Sequence, residues 1–214
     1  VILEKAFAKF CGSYHNLVGG CTAWALHAMT GNYVLRLAKS AEARWTRKNM
    51  YFQGGDVCGQ GRRSIAFEPA RERELDEEGF FDVLLQYSHK RSVMSASIDA
   101  KDAISEKHAD DGLIALHAYS ILQVRRAGTT LGMGRGIRLL QLRNPWKNTE
   151  WNGAWSDGSD EWEKHPGVAR WVGYESAEDG VFWMEHADFV RRFSRVDICD
   201  RTTKNDLRLD INED

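Results

Sequence analysis

Gly112-Leu-Ile-Ala-Leu-His117-Ala-Tyr-Ser120, continued after a glycine-rich interval by Gly136-Ile-Arg-Leu-Leu-Gln-Leu-Arg-Asn144-Pro-Trp146, is the stretch on which the fold turns. Residues 117–126 and 136–143 are rich in apolar and β-forming side chains and flank a turn, the pattern of a β-hairpin. A hairpin brings the first residue of one strand beside the last residue of its partner. His117 and Asn144 hold those two places, so they are expected to be neighbours despite their separation in sequence.

Outward from the hairpin, Leu3, Phe7 and Phe10 recur at helical spacing before Gly12, which predicts a helix over 2–11. Thr22 is placed to cap a second helix ending at Met29 before Gly31. Residues 44–73 mix basic and glycine-rich runs and read as an irregular surface excursion. A helix is expected over 78–89, with Phe81, Leu84 and Leu85 on one face, then a strand over 92–98. After Trp146, turns and short strands are expected, then a helix over 184–193 and a strand over 194–199. The charged stretch 200–214 reads as a linker towards a following domain.

Bulk properties exclude several classes. The 214 residues carry a net charge of −2, which points to neither nucleic acid nor an anionic membrane. No apolar run approaches the ~20 residues that span a bilayer. Four separated cysteines (Cys11, Cys21, Cys58, Cys199) form no C-x-x-C pair, and a reducing, intracellular compartment, the cytoplasm, is expected. With Val1 opening directly on a helical pattern, the chain reads as a piece of a longer protein. Eight tryptophans against three prolines is unusual, and six of them lie from Trp146 to Trp183. They are read as core residues of large area, with a carbohydrate-binding module as the alternative.

His117 and Asn144 suit one chemistry in particular. A thiol is a modest nucleophile near neutral pH, and an adjacent imidazole raises its thiolate fraction. The imidazole in turn needs a third group to fix its tautomer and ring plane, which an asparagine oxygen supplies. Trp146 is placed to cover that bond from water. The competing interpretation is a buried histidine on a backbone carbonyl and an asparagine in a turn before proline.

The surrounding motifs are similar to those of the calpain cysteine proteases. Leu3-Glu-Lys-Ala-Phe-Ala-Lys-Phe-Cys-Gly-Ser-Tyr14 resembles the helix that opens the second half of the calpain core, and Val18-Gly-Gly20 and Met29-Thr-Gly31 continue the match. His117-Ala-Tyr-Ser120, Leu142-Arg-Asn-Pro-Trp146, Glu150-Trp-Asn-Gly-Ala-Trp-Ser-Asp157, Glu178-Asp-Gly180, Phe182-Trp-Met184 and Ser194-Arg-Val-Asp-Ile-Cys199 then come in calpain order. The resemblance implies an α+β, papain-like cysteine proteinase fold, of which this chain is the β-sheet- and barrel-rich C-terminal half with a few flanking helices. Residues 1–199 would be that second subdomain. The nucleophilic cysteine would lie in an upstream subdomain, the partner of this one, and protein chains would be the substrates. His117 would be the base, Asn144 its orienting group, and Trp146 and Leu116 would line the cleft. Without its cysteine the chain alone is expected to be inactive; a catalytically dead scaffold is the alternative.

Two positions depart from the family pattern, which has glycine before the histidine, here Leu116, and glycine after Asn-Pro-Trp, here Lys147. Cys58, in Phe52-Gln-Gly-Gly-Asp-Val-Cys58, superficially resembles the nucleophile motif but comes after the Leu3 helix and precedes no apolar helix, so it is read as a loop cysteine. The resemblance also implies a calcium ion on Glu150, Asp157, the carbonyl of Ala177 and Asp179. A further family ligand corresponds to Val181, which cannot coordinate and would weaken the site. Solvated loop acids are the alternative there. Asp210-Ile-Asn-Glu-Asp214 is read as linker rather than an EF-hand start, and Gly132-Met-Gly-Arg-Gly136 as a hairpin turn rather than a phosphate loop.

Overall fold

Alternation decides how the hairpin is used. Leu140, Leu142, Phe182 and Met184 point into one core and Leu139 and Trp183 into another, the alternation of extended strands. The computed structural model describes residues 2–17, 19–56, 63–70, 74–99, 107–108, 110–128, 136–147 and 149–201. Cys58, the run 132–135 and the tail 202–214 lie outside the described residues.

In chain order the strands are β1 (Val34–Lys39), β2 (Trp45–Asp56), β3 (Arg63–Pro69), β4 (Val93–Ser97), β5 (Lys107–His108), β6 (Ile114–Ala115), β7 (Ala118–Ala127), β8 (Ile137–Arg143), β9 (Val181–Glu185) and β10 (Arg195–Cys199). Eight of them form one antiparallel sheet in the order β3-β2-β1-β10-β4-β7-β8-β9, and β5 pairs with β6 alone. The helices are α1 (Ile2–Phe10), α2 (Thr22–Thr30), α3 (Glu77–His89), α4 (Asp160–Lys164), α5 (Pro166–Val172) and α6 (His186–Arg192). The fold is thus α+β. No helix among the described residues is long and apolar enough to cross a membrane.

The main core packs α3 and α6 against the sheet through Trp45, Phe80, Phe81, Leu84, Leu140, Leu142, Phe182 and Phe189. Trp45 stacks on Phe80 with ring centroids 3.8 Å apart. On the other face of β8 and β9, Leu139 and Trp183 join Trp155, Trp162 and Val172 in a smaller core. Four of the six clustered tryptophans are therefore buried, and Trp146 and Trp171 are exposed.

Four expectations are corrected. Residues 44–73 are not irregular throughout: β2 and β3 pair from Lys48–Pro69 to Gln53–Ser64, with a bulge before Asp56. They lie at one end of the sheet, where charged side chains are tolerated and mask the strand pattern. The segment after Trp146 contains α4 and α5, and the last helix starts at His186 because 181–185 are drawn into the sheet beside β8. Thr22 does not cap α2: Cys21 is the N-cap residue, and the Thr22 hydroxyl donates to Asp197 Oδ2 at 3.0 Å. A buried carboxylate is a stronger acceptor than a hydroxyl oxygen is for the helix N–H groups.

His186 gives the core a pH dependence. It is fully buried against Phe80 and Phe81, and neither ring nitrogen has a hydrogen-bond partner among the described residues. Burial, then the charges of Arg138 and Arg126, push its pKa down to about 3. A histidine pKa lowered by folding contributes stability above the ordinary value of 6.5 that is lost as pH falls towards 3. Between pH 7.5 and 5 the loss is expected to be about 2 kcal/mol. Burial raises the Glu150, Asp157 and Glu185 pKa values, so these groups act in the opposite direction. The difference in urea midpoint between the native chain and His186→Leu at the two pH values isolates the histidine contribution.

Candidate active site

Antiparallel pairing of β7 with β8 brings the two candidate residues together, though not as the directly opposed pair that the hairpin suggests. Ser120 lies opposite Arg143, which puts Tyr119 level with Asn144. His117 is two residues further out, and its imidazole packs edge-on to the Tyr119 ring at 5.1 Å. Tyr119 is held in turn by its hydroxyl, which accepts the Ile114 N–H at 2.8 Å. The contact with Asn144 is therefore diagonal, made by side-chain reach rather than register.

His117 Nε2 lies 3.0 Å from Asn144 Oδ1, and both residues are buried. The asparagine is anchored on both ends of its amide. Its Nδ2 donates to the carbonyl of Thr149 at 2.9 Å, and its Oδ1 accepts the Trp146 N–H at 3.0 Å. A carbonyl can only accept and a backbone N–H can only donate, so the amide has one permitted orientation. The oxygen then faces the imidazole, Nε2 must carry the proton, and in the neutral ring Nδ1 presents its lone pair. Trp146 covers the ring, with centroids 4.4 Å apart at 49°. The indole is 51% exposed, so it is a lid on the pair rather than a core residue.

Leu116 and Lys147 explain each other. Both lie in the left-handed region, at φ 58° and 59°. They are the two places where the resemblance described above implies glycine, the residue for which that conformation has no Cβ penalty. The Leu116 N–H donates to Ile98 O at 2.8 Å, which holds the turn that delivers His117, while the side chain is 42% exposed. Leu116→Gly therefore removes strain and little burial, and is expected to stabilise the chain by about 0.5–1 kcal/mol, readable as a higher urea midpoint.

The acidic loop residues also come together. Glu150 Oε1 accepts the Gly180 N–H at 2.6 Å, Asp157 Oδ2 the Ala177 N–H at 2.8 Å, and Asp179 Oδ1 the Val181 N–H at 2.9 Å. Burial raises the pKa of Glu150, and the charges of Asp157 and Asp179 add to it. Asp157 is raised by burial and by Asp179. Mutual repulsion of this kind is what a cation relieves. The set is nevertheless open: each carboxylate is engaged by a backbone N–H, and the Ala177 carbonyl accepts the Asp179 N–H at 2.8 Å. Among the described residues no group of three or more His, Cys, Asp or Glu side chains is arranged to hold a metal ion.

Thr149, Gly180 and Tyr119 are the supporting residues that sequence reasoning missed as such. The positive φ that Gly180 adopts, 85°, favours glycine, but nothing in the sequence says which backbone it must approach. Of the described cysteines, Cys21 Sγ accepts from Arg36 at 3.2 Å, Cys199 lies 3.3 Å from the Thr30 hydroxyl, and Cys11 is buried where α1 ends.

Comparison with known proteins gives a match to the calpain family cysteine protease model over residues 1–200. The chain is 34% identical over 205 residues to calpain clp-4 of Caenorhabditis elegans, covering 95% of this chain and 24% of that protein. It is 32% identical to human calpain-9 over 203 residues (94% of this chain, 24% of that protein). With Drosophila melanogaster calpain-A it shares 32% over 201 residues (92% and 20%). The chain thus spans about a quarter or less of the length of these relatives.

Proposed function

Since the chain belongs to the calpain family of cysteine proteases, we propose that it is the His- and Asn-bearing half of a papain-like protease core, residues 1–199, with 200–214 as a linker. The nucleophilic cysteine is contributed by an upstream subdomain, and the substrates are protein chains. The observation that carries this reading is the amide of Asn144, anchored at both ends so that it dictates the His117 tautomer. A histidine satisfied merely for burial needs no such control of its second nitrogen.

In that role the Nδ1 lone pair of His117 takes the thiol proton of the incoming cysteine. The thiolate attacks the peptide carbonyl, and the imidazolium returns the proton from Nδ1 to the departing amine. Water, deprotonated by the same nitrogen, then attacks the thioester and releases the carboxylate product and the thiol. Throughout, Asn144 Oδ1 holds Nε2–H and so keeps Nδ1 towards the reacting atoms. Trp146 limits water at that bond.

The test is reconstitution. The chain alone is expected to show no peptidase turnover; with the upstream Cys-bearing region of the same protein it is expected to cleave unfolded protein, sensitively to thiol alkylation. Turnover by the chain alone, abolished by Cys58→Ala, would overturn the assignment of the nucleophile. A non-nucleophilic residue at the upstream position would establish a scaffold instead.

We also propose that calcium, when bound, sits on Glu150, Asp157, Asp179 and the Ala177 carbonyl, where it would supply charge neutralisation. No step of the chemistry is assigned to it. With Val181 lacking a side-chain oxygen the affinity is expected to be millimolar, so ~1 mM calcium should stabilise the chain by only about 0.4 kcal/mol, read as a small rise in Tm that Asp157→Asn removes. Cytoplasmic localisation belongs to the same proposal.

A further inference from the structure

The hydrogen bonds around Asn144 close into a circuit. Its side-chain Nδ2 donates to Thr149 O at 2.9 Å. The next residue, Glu150, accepts the Gly180 N–H on Oε1 at 2.6 Å. The Gly180 carbonyl then accepts the backbone N–H of Asn144 at 2.8 Å. Residues 149 and 150 therefore grip Asn144 from two sides, its amide directly and its backbone through Gly180.

Gly180 leaves no slack in this circuit. A Cβ built on it would fall 2.6 Å from Asn144 O and 3.1 Å from Lys147 Cα, both backbone atoms. The loop carrying Gly180 is thus seated directly against the turn that carries Asn144 and Trp146. The N–H of the same glycine is held by the Glu150 carboxylate.

We propose that Glu150 is a positioning residue for His117: by accepting the Gly180 N–H it seats Gly180 against Asn144 and so keeps Asn144 Oδ1 on the imidazole. This rests on the reading of His117 and Asn144 as catalytic, and it assigns Glu150 a duty that needs reach and an acceptor atom, not charge. The distinction from a cation ligand is what makes it testable.

Glu150→Gln keeps the reach and a carbonyl acceptor while removing the charge. Glu150→Asp keeps the charge but is one methylene shorter, so it cannot accept the same N–H without moving the loop. Both are small changes at a half-buried position and are compatible with folding. In the 214-residue chain, 15N and 1H NMR of the His117 ring reports the tautomer and the solvent exchange of Nε2–H. Glu150→Asp is expected to speed that exchange about tenfold, and Glu150→Gln to stay within about twofold of the native chain. In the reconstituted protein the Asp variant should lower kcat by more than the Gln variant does, with KM unchanged in both.

The reverse order, Asp normal and Gln defective, would overturn the proposal in favour of a charge or cation role, as would native behaviour in both. If the NMR pattern is as expected but the reconstituted protein has no turnover, the positioning stands and the peptidase reading fails.

Discussion

In the reconstitution proposed above, with an upstream region that supplies the cysteine, His117→Ala is expected to lower kcat/KM by about 10⁴-fold or more. Two functions disappear at once. Near neutral pH an unassisted thiol is only a few per cent ionised, and the leaving amine has no acid to protonate it. Asn144→Ala is expected to cost less than His117→Ala, because the ring and its proton remain and only the constraint on tautomer and plane is lost. Its substrate KM should change little, since Asn144 is buried and reaches substrate only through His117. Steady-state kinetics on an unfolded protein substrate, with thiol titration to show that the nucleophile is intact, measures both. Turnover by His117→Ala within tenfold of the native protein would remove the base assignment.

Asp197→Ala is expected to be the most destabilising single change away from the site, by about 3–5 kcal/mol. Asp197 on β10 lies directly opposite Arg36 on β1, in the middle of the sheet. Its Oδ1 receives Arg36 Nε at 2.6 Å, and its Oδ2 receives the second guanidinium nitrogen and the Thr22 hydroxyl, both at 3.0 Å. The carboxylate is almost wholly buried, and the guanidinium lies over the Phe67 ring at 3.8 Å. Truncating the acid leaves a partly buried cation with no carboxylate and frees α2 from the sheet at Thr22. The pair itself is not the source of the energy: Arg36→Leu with Asp197→Leu is expected to recover most of the loss, because two apolar side chains incur no desolvation cost. Urea midpoints of the single and double variants check this, and a loss under about 1 kcal/mol for Asp197→Ala would refute it.

How much of the fold is legible in the sequence differs by element for physical reasons. α1, α2, α3 and the β7–β8 hairpin are legible because their apolar spacing or flanking glycines are local signals. Gly31 does end α2 in the left-handed conformation, at φ 69°. β2 and β3 are not legible, since strands near a sheet end carry charged side chains whose pattern resembles a loop. α6 starts two residues later than its pattern predicts, because Met184 and Glu185 satisfy a helical pattern as well as a strand pattern and only the pairing with β8 decides between them. β1 escapes the sequence reading although Val34-Leu-Arg-Leu37 carries β-forming residues; Arg36 breaks the apolar run, and its partner Asp197 lies far off in sequence.

Read alone, the amino-acid sequence determined the kind of chemistry on offer: a histidine and an asparagine at the two ends of a hairpin, set among ordered calpain motifs, with a leucine and a lysine where glycines are usual. These are properties of residue type and spacing, and they survive without coordinates. Only the tertiary structure decided how His117 and Asn144 meet, which imidazole nitrogen carries the proton, why Leu116 and Lys147 are strained, and that Glu150 and Gly180 stand behind Asn144. Each of those depends on hydrogen bonds between segments up to 36 residues apart, from Asn144 to Gly180. Such bonds have no local periodicity to announce them and exist only once the sheet has brought the segments together.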